Sequence, residues 1–441
     1  MDVKKTALDI LSVALKAADP YHCIKKYVRI EHGSIVIDGI TYPSVEYPKV
    51  MVVGAGKASA RMAQALEDVL GDRINGGWIN TKDDHAVPVQ YIHVHECGHP
   101  VPDERGLTGA RHIREILTEA DDHTLVIGLL SGGGSALMPA PVDGITLKEK
   151  QDITSLLLKS GAAINELNAI RKHLSTLKGG GMARLAYPAR LHMLILSDVI
   201  GDKLDVIASG PGVSDSSTFQ DCLDICERYN IMDSLPENVK SRFIDGSQGK
   251  IPDTLKEGDT VVLSAVNSLI GNNRMSVEAA RSYAGKLGYN TLVLSTMIEG
   301  EASDVGTVLS SVALEIMETG NPIKKPACVI CGGETTVTIR GKGKGGRNQE
   351  MSLKVAQRLR GIENFMFLSA GTDGTDGPTD AAGGIVDGNT VLQGEEKGFD
   401  CYRFLDNNDS YHYLEAVDGL IKTGPTGTNV MDIQILLVGR P

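Results

Sequence analysis

Short apolar runs ending in glycine or aspartate alternate with longer helix-periodic stretches along almost the whole chain. The clearest runs are KVMVVG (49–54), TLVIGLLSG (124–132), LHMLILSD (191–198) and DTVVLSA (259–265). NTLVLST (290–296), ACVICGG (327–333) and NFMFLSAG (364–371) follow. Near-continuous Val, Ile and Leu of this length, each followed by a helical pattern, predict parallel strands buried on both faces. The expectation is an α/β protein with a doubly wound, mostly parallel sheet, whose ligands sit beyond the carboxyl ends of the strands. VRIEHGSIVIDG, ahead of the first buried strand, reads as a hairpin. Further on, Thr336, Thr338 and Arg340 alternate with Val337 and Ile339 as a half-buried strand does. Met351, Val355 and Leu359 then recur every four residues, as one face of a helix that starts near Arg347.

The 441 residues exceed one ordinary core, and two or three domains is the expectation from length. The pattern is weakest in LPENVKSRFIDGSQGKIPDTLKEGD (235–259), rich in Pro, Gly and charge. A boundary there divides the chain into domains 1–245 and 246–441, with a return crossing of the chain left open. No short repeat or low-complexity tail stands out.

A net charge of −12 argues against a general nucleic-acid binder, which needs a dominant basic face. The low aromatic content removes stacking platforms for single strands as well. Basic loops on such an acidic chain therefore point to small anions. The first twenty residues alternate charged and apolar positions at helical spacing, unlike a signal peptide, and no apolar run is long enough to span a bilayer. Seven cysteines without a framework spacing fit a reducing cytoplasm. The oligomeric state is unreadable, a homodimer being one option.

Fifty glycines cluster at apparent strand ends, where positive φ and close backbone approach are useful. VVGAGKASA puts Gly54, Gly56 and Lys57 between a strand and a helix. It is either an anion-binding turn or a tight βα turn with a solvated lysine. Its glycine spacing is too short for a Walker A loop, and Ser59 stands at the third glycine of the dinucleotide fingerprint. LLSGGGSAL supplies Ser131, Gly132, Gly133, Gly134 and Ser135, a phosphate or ribose contact or else a mobile hinge. In NAIRKHLSTLKGGGMAR, Arg171, Ser175 and Lys178 share one helix face, and anion binding and a solvated face weigh equally there. Asp198 ends an apolar run, where it could hold Mg²⁺, take a hydroxyl proton or cap a helix.

CGGETTVTIRGKGKGGRNQE (331–350) brings Gly332, Gly333 and Glu334 to a strand end, then a Gly/Lys loop, then Arg347 and Asn348 at a helix start. Arg347 adds its charge where backbone N–H groups already favour an anion. SAGTDGTDGPTDAAGG carries Asp373, Asp376 and Asp380 in a Gly/Thr loop that lacks the closing Glu of an EF-hand. His93, His95 and Cys97 share a strand face without an evident carboxylate to complete a metal site. No GxSxG elbow occurs.

VVGAGKASA, NAIRKHLSTLKGG, SDVIGDKLDVIASGPG, CGGETTVTIRGKGKGGRNQE, TDGTDGPTDAAGG and TGPTGTNVMD follow one another in an order that resembles the class II glycerate kinase family, with its C-terminal MOFRL domain. The departures are small: Gly212 where a threonine is common after ASGP, and Ser59 in the first loop. The resemblance implies ATP- and Mg²⁺-dependent phosphorylation of D-glycerate, usually to 2-phosphoglycerate. It also implies a Rossmann-like N-terminal domain and an active site in the interdomain cleft, assembled by closure. Carried over by motif, Lys57 and Arg347 are the active-site cations on the transferring phosphoryl group. Arg171 or Lys178 would take the glycerate carboxylate, with Asn348 beside the substrate. Asp198, Glu334 and Asp373 would share the metal and proton-acceptor roles. The nucleotide would contact Gly54, Gly56, Ser131, Gly132, Gly133, Gly134, Ser135, Lys178, Gly332 and Gly333. An NAD(P)H-dependent hydroxypyruvate reductase and a non-catalytic sensor of sugar phosphates are the alternatives.

Overall fold

The structure is a computed structural model that describes residues 2–441. The chain divides into two compact units, Pro20–Ile270 and Met1–Asp19 joined with Gly271–Pro441. The division falls beyond the 245/246 boundary expected from sequence, and the first helix changes sides. Helix Val3–Ala17 presents Ala7, Ile10, Leu11 and Ala14 to Val277, Ala280 and Ala284 of helix Asn273–Lys286, so its apolar stripe completes the C-terminal unit's core.

In the N-terminal unit, β1 (Lys49–Ala55), β2 (Gly76–Lys82), β3 (His93–Cys97), β4 (Thr124–Leu130), β5 (Arg190–Leu196) and β6 (Ala265–Gly271) form a six-stranded sheet. Their order is β3-β2-β1-β4-β5-β6, and the pairings from β3 to β5 are parallel. This is the Rossmann order, which reverses between β1 and β4 and opens a crevice at their carboxyl ends. The residues alternate faces as the pleat requires. Val53, Ala55, Val126 and Leu130 join one core, and Val50, Val52, Leu125, Ile127 and Leu129 join the other. Burial on both faces is what made these strands visible as apolar runs. The expected hairpin is a meander of Val28–Glu31, Ser34–Ile37 and Ile40–Tyr42. Helices Leu147–Lys159, Ile164–His173, Phe219–Arg228 and Glu237–Ser247 build a separate small core.

The run at 259–265 is not a strand. Thr260–Ser264 is a short helix with Leu263 74% exposed, and the sheet position belongs to β6. There Ser268 meets His192 of β5 through a hydrogen bond of 2.9 Å and Ile270 is buried. A polar pairing inside the core selected the register that apolar counting missed.

The C-terminal unit holds β7 (Asn290–Ile298), β8 (Ala327–Gly333), β9 (Phe365–Gly371), β10 (Gly383–Val386), β11 (Leu420–Ile421) and β12 (Asp432–Val438), in the order β7-β8-β12-β9-β10-β11. Only β7 and β8 pair in parallel; β12 enters antiparallel between β8 and β9. The parallel expectation therefore fails for most of this sheet. Antiparallel central strands buried on both faces have the same apolar signature as parallel ones. The strand expected at 336–340 reduces to one bridge, Thr336 with Glu301. The Glu301 carboxylate accepts from Thr338 N at 3.0 Å and Asn408 Oδ1 from Arg340 N at 2.7 Å, so side chains replace the ladder.

Candidate active site

The crevice between β1 and β4 is built by two glycine turns pressed together. A Cβ on Gly54 would lie 2.1 Å from the Leu129 carbonyl oxygen, and one on Gly56, whose φ is +151°, would lie 2.1 Å from Ser131 Oγ. The turns also bond to each other. Lys57 N donates to Gly132 O at 2.9 Å, Ala58 N to Ser131 Oγ at 2.9 Å, and Gly56 N to Asn80 O at 3.1 Å. Gly54, Gly56 and Ser131 thus serve the approach of the two turns, and the first turn's N–H groups are taken by protein acceptors. What the turn does offer is the Lys57 side chain.

Around Gly132–Ser135 the expected residues do converge. A Cβ on Gly132 would lie 2.1 Å from Asp198 Oδ2, so the carboxylate beyond β5 packs directly on the turn. Gly133, at φ +83°, has His99 Nε2 and Lys57 Cγ over its missing side chain, at 2.9 and 3.4 Å from a built Cβ. Burial, then Lys57, Lys82 and His85, push the His99 imidazole down to about 4, which keeps it neutral. Its ring nitrogens have no hydrogen-bond partner among the described residues. Ser135 Oγ lies 3.2 Å from Ser209 Oγ, which donates to Asn168 Oδ1 at 3.3 Å. Ala208 and Ser209 both adopt positive φ, +48° and +62°. Gly179 N, Gly180 N and Met182 N hold that segment by donating to the carbonyls of Ser209, Gly210 and Pro211. Two non-glycine residues in a row at positive φ are strained backbone, and these hydrogen bonds keep it in place.

Lys178 is 2% exposed and donates to Ser135 O and Oγ, both at 2.8 Å. Lys150, 8% exposed, donates to Leu174 O at 3.1 Å. Arg171 is partly exposed, and its charge lowers the pKa of both amines. Burial, with Arg171 second, pushes Lys150 down to about 7. Burial and then Lys150 and Arg171 push Lys178 down further still. Sequence reading missed Lys150, His99, Asn168 and Ser209. Ser209 had a signal in the ASGPG run, whereas Lys150 looks like any helix-surface lysine.

The C-terminal unit's candidates have a different character. The Gly/Lys loop is a packing stripe. Gly341, Gly343 and Gly345 face Asn407, Asp409 and Ser410, where built Cβ atoms would lie 2.2, 2.4 and 2.3 Å from the nearest atom. Its N–H groups donate to the same corner, Gly341 N to Asn408 Oδ1 and Lys344 N to Asp409 Oδ1, both at 3.0 Å. Arg347 gives Nε and Nη2 to Asp432 at 2.6 and 2.9 Å and Nη1 to Glu334 at 2.8 Å. Although burial works against its charge, Asp432 and Glu334 raise its pKa. Burial lifts the Asp432 carboxyl to about 6, more than Arg347 lowers it, because Asp432 is wholly enclosed and Arg347 is not. The helix N-terminus that should favour a ligand anion is filled by Asp376, which accepts from Asn348 N at 3.1 Å and Gln349 N at 2.9 Å. Asn348 is fully buried, donating to Asp376 and accepting from Ser369 Oγ at 2.6 Å. Gly332 packs on Asn273, and Gly333, at φ +144°, on Ile298. Asp373 accepts from Thr375 N and Oγ1 at 2.9 and 3.0 Å, closing its own turn.

No cluster of three or more metal-ligating side chains exists among the described residues. A magnesium ion that comes with nucleotide phosphates needs only one or two protein carboxylates, and Asp198, packed on the glycine turn, would fit that role. The histidines of β3 are occupied otherwise: His93 lies tilted against Trp78 with ring centroids 4.0 Å apart, and His95 Nε2 is 3.1 Å from Arg105 O. No helix of the described residues is long and apolar enough to cross a membrane.

A Rossmann-ordered sheet with a lysine, a glycine turn and a carboxylate gathered at its switch point defines a Rossmann-like α/β protein. Comparison with known proteins narrows that class: the chain belongs to the glycerate 2-kinase family. Residues 6–244 match the family model described as "Domain of unknown function (DUF4147)", and residues 327–432 match that of the MOFRL family. The glycerate 2-kinase of Pyrococcus horikoshii is 43% identical over 439 residues, 99% of this chain and 98% of that protein. The D-glycerate 2-kinase of Thermotoga maritima is 43% identical over 437 residues, again 99% of this chain and 98% of that protein. A crystal structure of glycerate kinase from the same organism has a TM-score of 0.89 at 42% identity, covering 99% of both chains. A relative in Agrobacterium vitis, 39% identical over 393 residues, 89% of this chain and 87% of that protein, carries a provisional hydroxypyruvate reductase name.

Proposed function

We propose that this chain is an ATP-dependent kinase that phosphorylates D-glycerate at its 2-hydroxyl, giving 2-phosphoglycerate and ADP. The observation that carries the reading is the convergence of Lys57, His99 and Asp198 on one glycine turn at the switch point of the parallel sheet. Phosphoryl transfer asks for positioning and charge neutralisation more than covalent chemistry. Gly132 and Gly133 let Asp198, His99 and Lys57 close onto the turn, which brings a carboxylate, a neutral imidazole and a lysine to one place. Lys57 neutralises charge on the transferring group. The 2-oxygen of glycerate bonds to the γ-phosphorus as the bond to ADP breaks, and the hydroxyl proton passes to the Asp198 carboxylate. Magnesium, carried in on the phosphates, supplies charge neutralisation. His99, held neutral, is available as a hydrogen-bond partner without adding a competing charge. Arg347 is the corresponding cation of the C-terminal unit. It keeps N–H donors beyond those given to Asp432 and Glu334, so it can still meet a phosphate oxygen.

A reductase reading draws on the Rossmann order and on the Agrobacterium relative's name. Against it stand Ser59 at the third fingerprint position and a first turn whose N–H groups are given to Gly132, Ser131 and Asn80 instead of a pyrophosphate. All seven cysteines are buried and none is in a disulfide, in keeping with a reducing compartment and the proposed cytoplasmic location. The deciding experiment measures ADP release with D-glycerate beside NAD(P)H consumption with hydroxypyruvate, and identifies the product by phosphorus NMR. Nicotinamide consumption without ADP release would replace the kinase with the reductase. A 3-phosphoglycerate signal would move the site of transfer.

A further inference from the structure

We propose that Lys150, Arg171 and Lys178 form one largely buried anion seat that takes the carboxylate of the small hydroxy acid. The assignment of the anion to the acceptor rests on the kinase reading; the seat itself does not.

Three cations meet here without an acid. Lys150 comes from helix Leu147–Lys159, Arg171 from the next helix, Ile164–His173, and Lys178 from the turn that follows. The two amines satisfy single neutral sites, Leu174 O and the Ser135 oxygens. The Arg171 guanidinium has no hydrogen bond or ion pair among the described residues. The carboxylates of neighbouring elements are committed elsewhere. Asp215 and Asp205 pair with Lys172 at 3.0 and 3.5 Å, Asp253 with His173 at 2.8 Å, and Asp198 packs on Gly132. Folding normally buries a cation with a partner or not at all. Two nearly enclosed lysines beside an unpaired arginine are therefore a site lacking its counter-charge. The hydroxyls of Ser135 and Ser209, 3.2 Å apart, line the same place, and the strained Ala208–Ser209 backbone keeps them there. A hydroxy acid offers a carboxylate for the planar Arg171 fork and a neighbouring hydroxyl for these serines.

With the seat empty, burial and mutual repulsion strip protons from the lysines, Lys150 near neutral pH. An arriving carboxylate restores the charged form, so binding takes up protons. Above about pH 7 affinity falls, up to about tenfold per pH unit for one proton taken up.

The test is isothermal titration of D-glycerate into the full chain holding a non-hydrolysable ATP analogue, in two buffers of different ionisation enthalpy and across pH. Inorganic phosphate is titrated separately. Wild type is expected to show proton uptake with D-glycerate. Lys150→Met should lose part of that uptake and weaken D-glycerate at least about tenfold while leaving the nucleotide analogue's affinity unchanged. Arg171→Met, at a partly exposed position, should show the same pattern of weakened D-glycerate and unchanged nucleotide if Lys150→Met does not fold. Loss of nucleotide affinity with glycerate unaffected would overturn the carboxylate assignment and give the seat to a nucleotide phosphate. No glycerate binding, but phosphate binding with Lys150-dependent proton uptake, would uphold the seat and remove the kinase's acceptor from it. Unchanged binding of every probe in both variants would overturn the seat.

Discussion

Replacing Arg347 with methionine tests whether its first role is structural. The substitution leaves Asp432, 0% exposed, without the two charge-assisted hydrogen bonds at 2.6 and 2.9 Å, close to the equally enclosed Asp376. Removing one partner of a buried pair costs about 3–5 kcal/mol, because the remaining charge is uncompensated. The cost must depend on pH in a defined direction. Burial has already raised Asp432 to about 6, above its ordinary 3.8. Below that value the proton replaces the arginine as partner in wild type and variant alike, and the difference shrinks. Above it, wild type keeps an ion pair that the variant lacks, and the difference grows with pH until the variant's own Asp432, raised further by the loss of Arg347, is also ionised. Hydrogen exchange of residues 347–358 and 432–438 in rising urea reads this locally. At about pH 7.5 the variant should exchange roughly 10²- to 10³-fold faster, and at about pH 5 distinctly less than that. The double variant Arg347→Met/Asp432→Leu should recover most of the loss, since neither charge is then stranded. Equal exchange in wild type and Arg347→Met at the higher pH would refute the argument, as would a penalty independent of pH.

Three further outcomes follow from the same geometry. Lys150→Met should raise stability near neutral pH: a fall from 10.5 to about 7 puts about 5 kcal/mol on the charged form, and relief of even half lifts Tm by roughly 5 °C. The gain should fade as pH rises from 7 towards 10.5, where wild type loses the penalty by shedding the proton, and calorimetry across that range checks it. Gly56→Ala should destabilise the N-terminal unit by about 3 kcal/mol in urea unfolding, its Cβ meeting Ser131 Oγ at 2.1 Å in a backbone that disfavours any side chain. Lys57→Met should leave the melting curve in place and lower kcat about 10²- to 10³-fold in ADP release, the loss expected when one preorganised cation is removed.

Much of the N-terminal unit was legible in advance because its signals are local. A strand buried on both faces writes itself as an unbroken apolar run, and the turns at Gly54 and Gly132 follow such runs directly. Lys57 and Asp198 were singled out because they follow such runs, Lys178 from a helical motif. The C-terminal unit was legible in its elements and less so in their arrangement, since β8, β9 and β12 are equally apolar whichever way they run. The Gly/Lys loop shows the same division. Its glycines signalled close approach correctly, but to the Asn407–Ser410 corner of the chain itself.

By itself the sequence determined where strands, turns and helices form, and which loops concentrate cations on an acidic chain. These follow from side-chain periodicity and from glycine's freedom, properties of neighbouring residues. Only the tertiary structure decided which charges are answered. Arg347 looked free and is held by Asp432, a residue 85 positions away. Lys150 looked solvated and is enclosed beside Arg171 and Lys178 with no acid to meet it. The physical reason is that burial and Coulomb partners are set by distance in space, and residues far apart in the chain supply them.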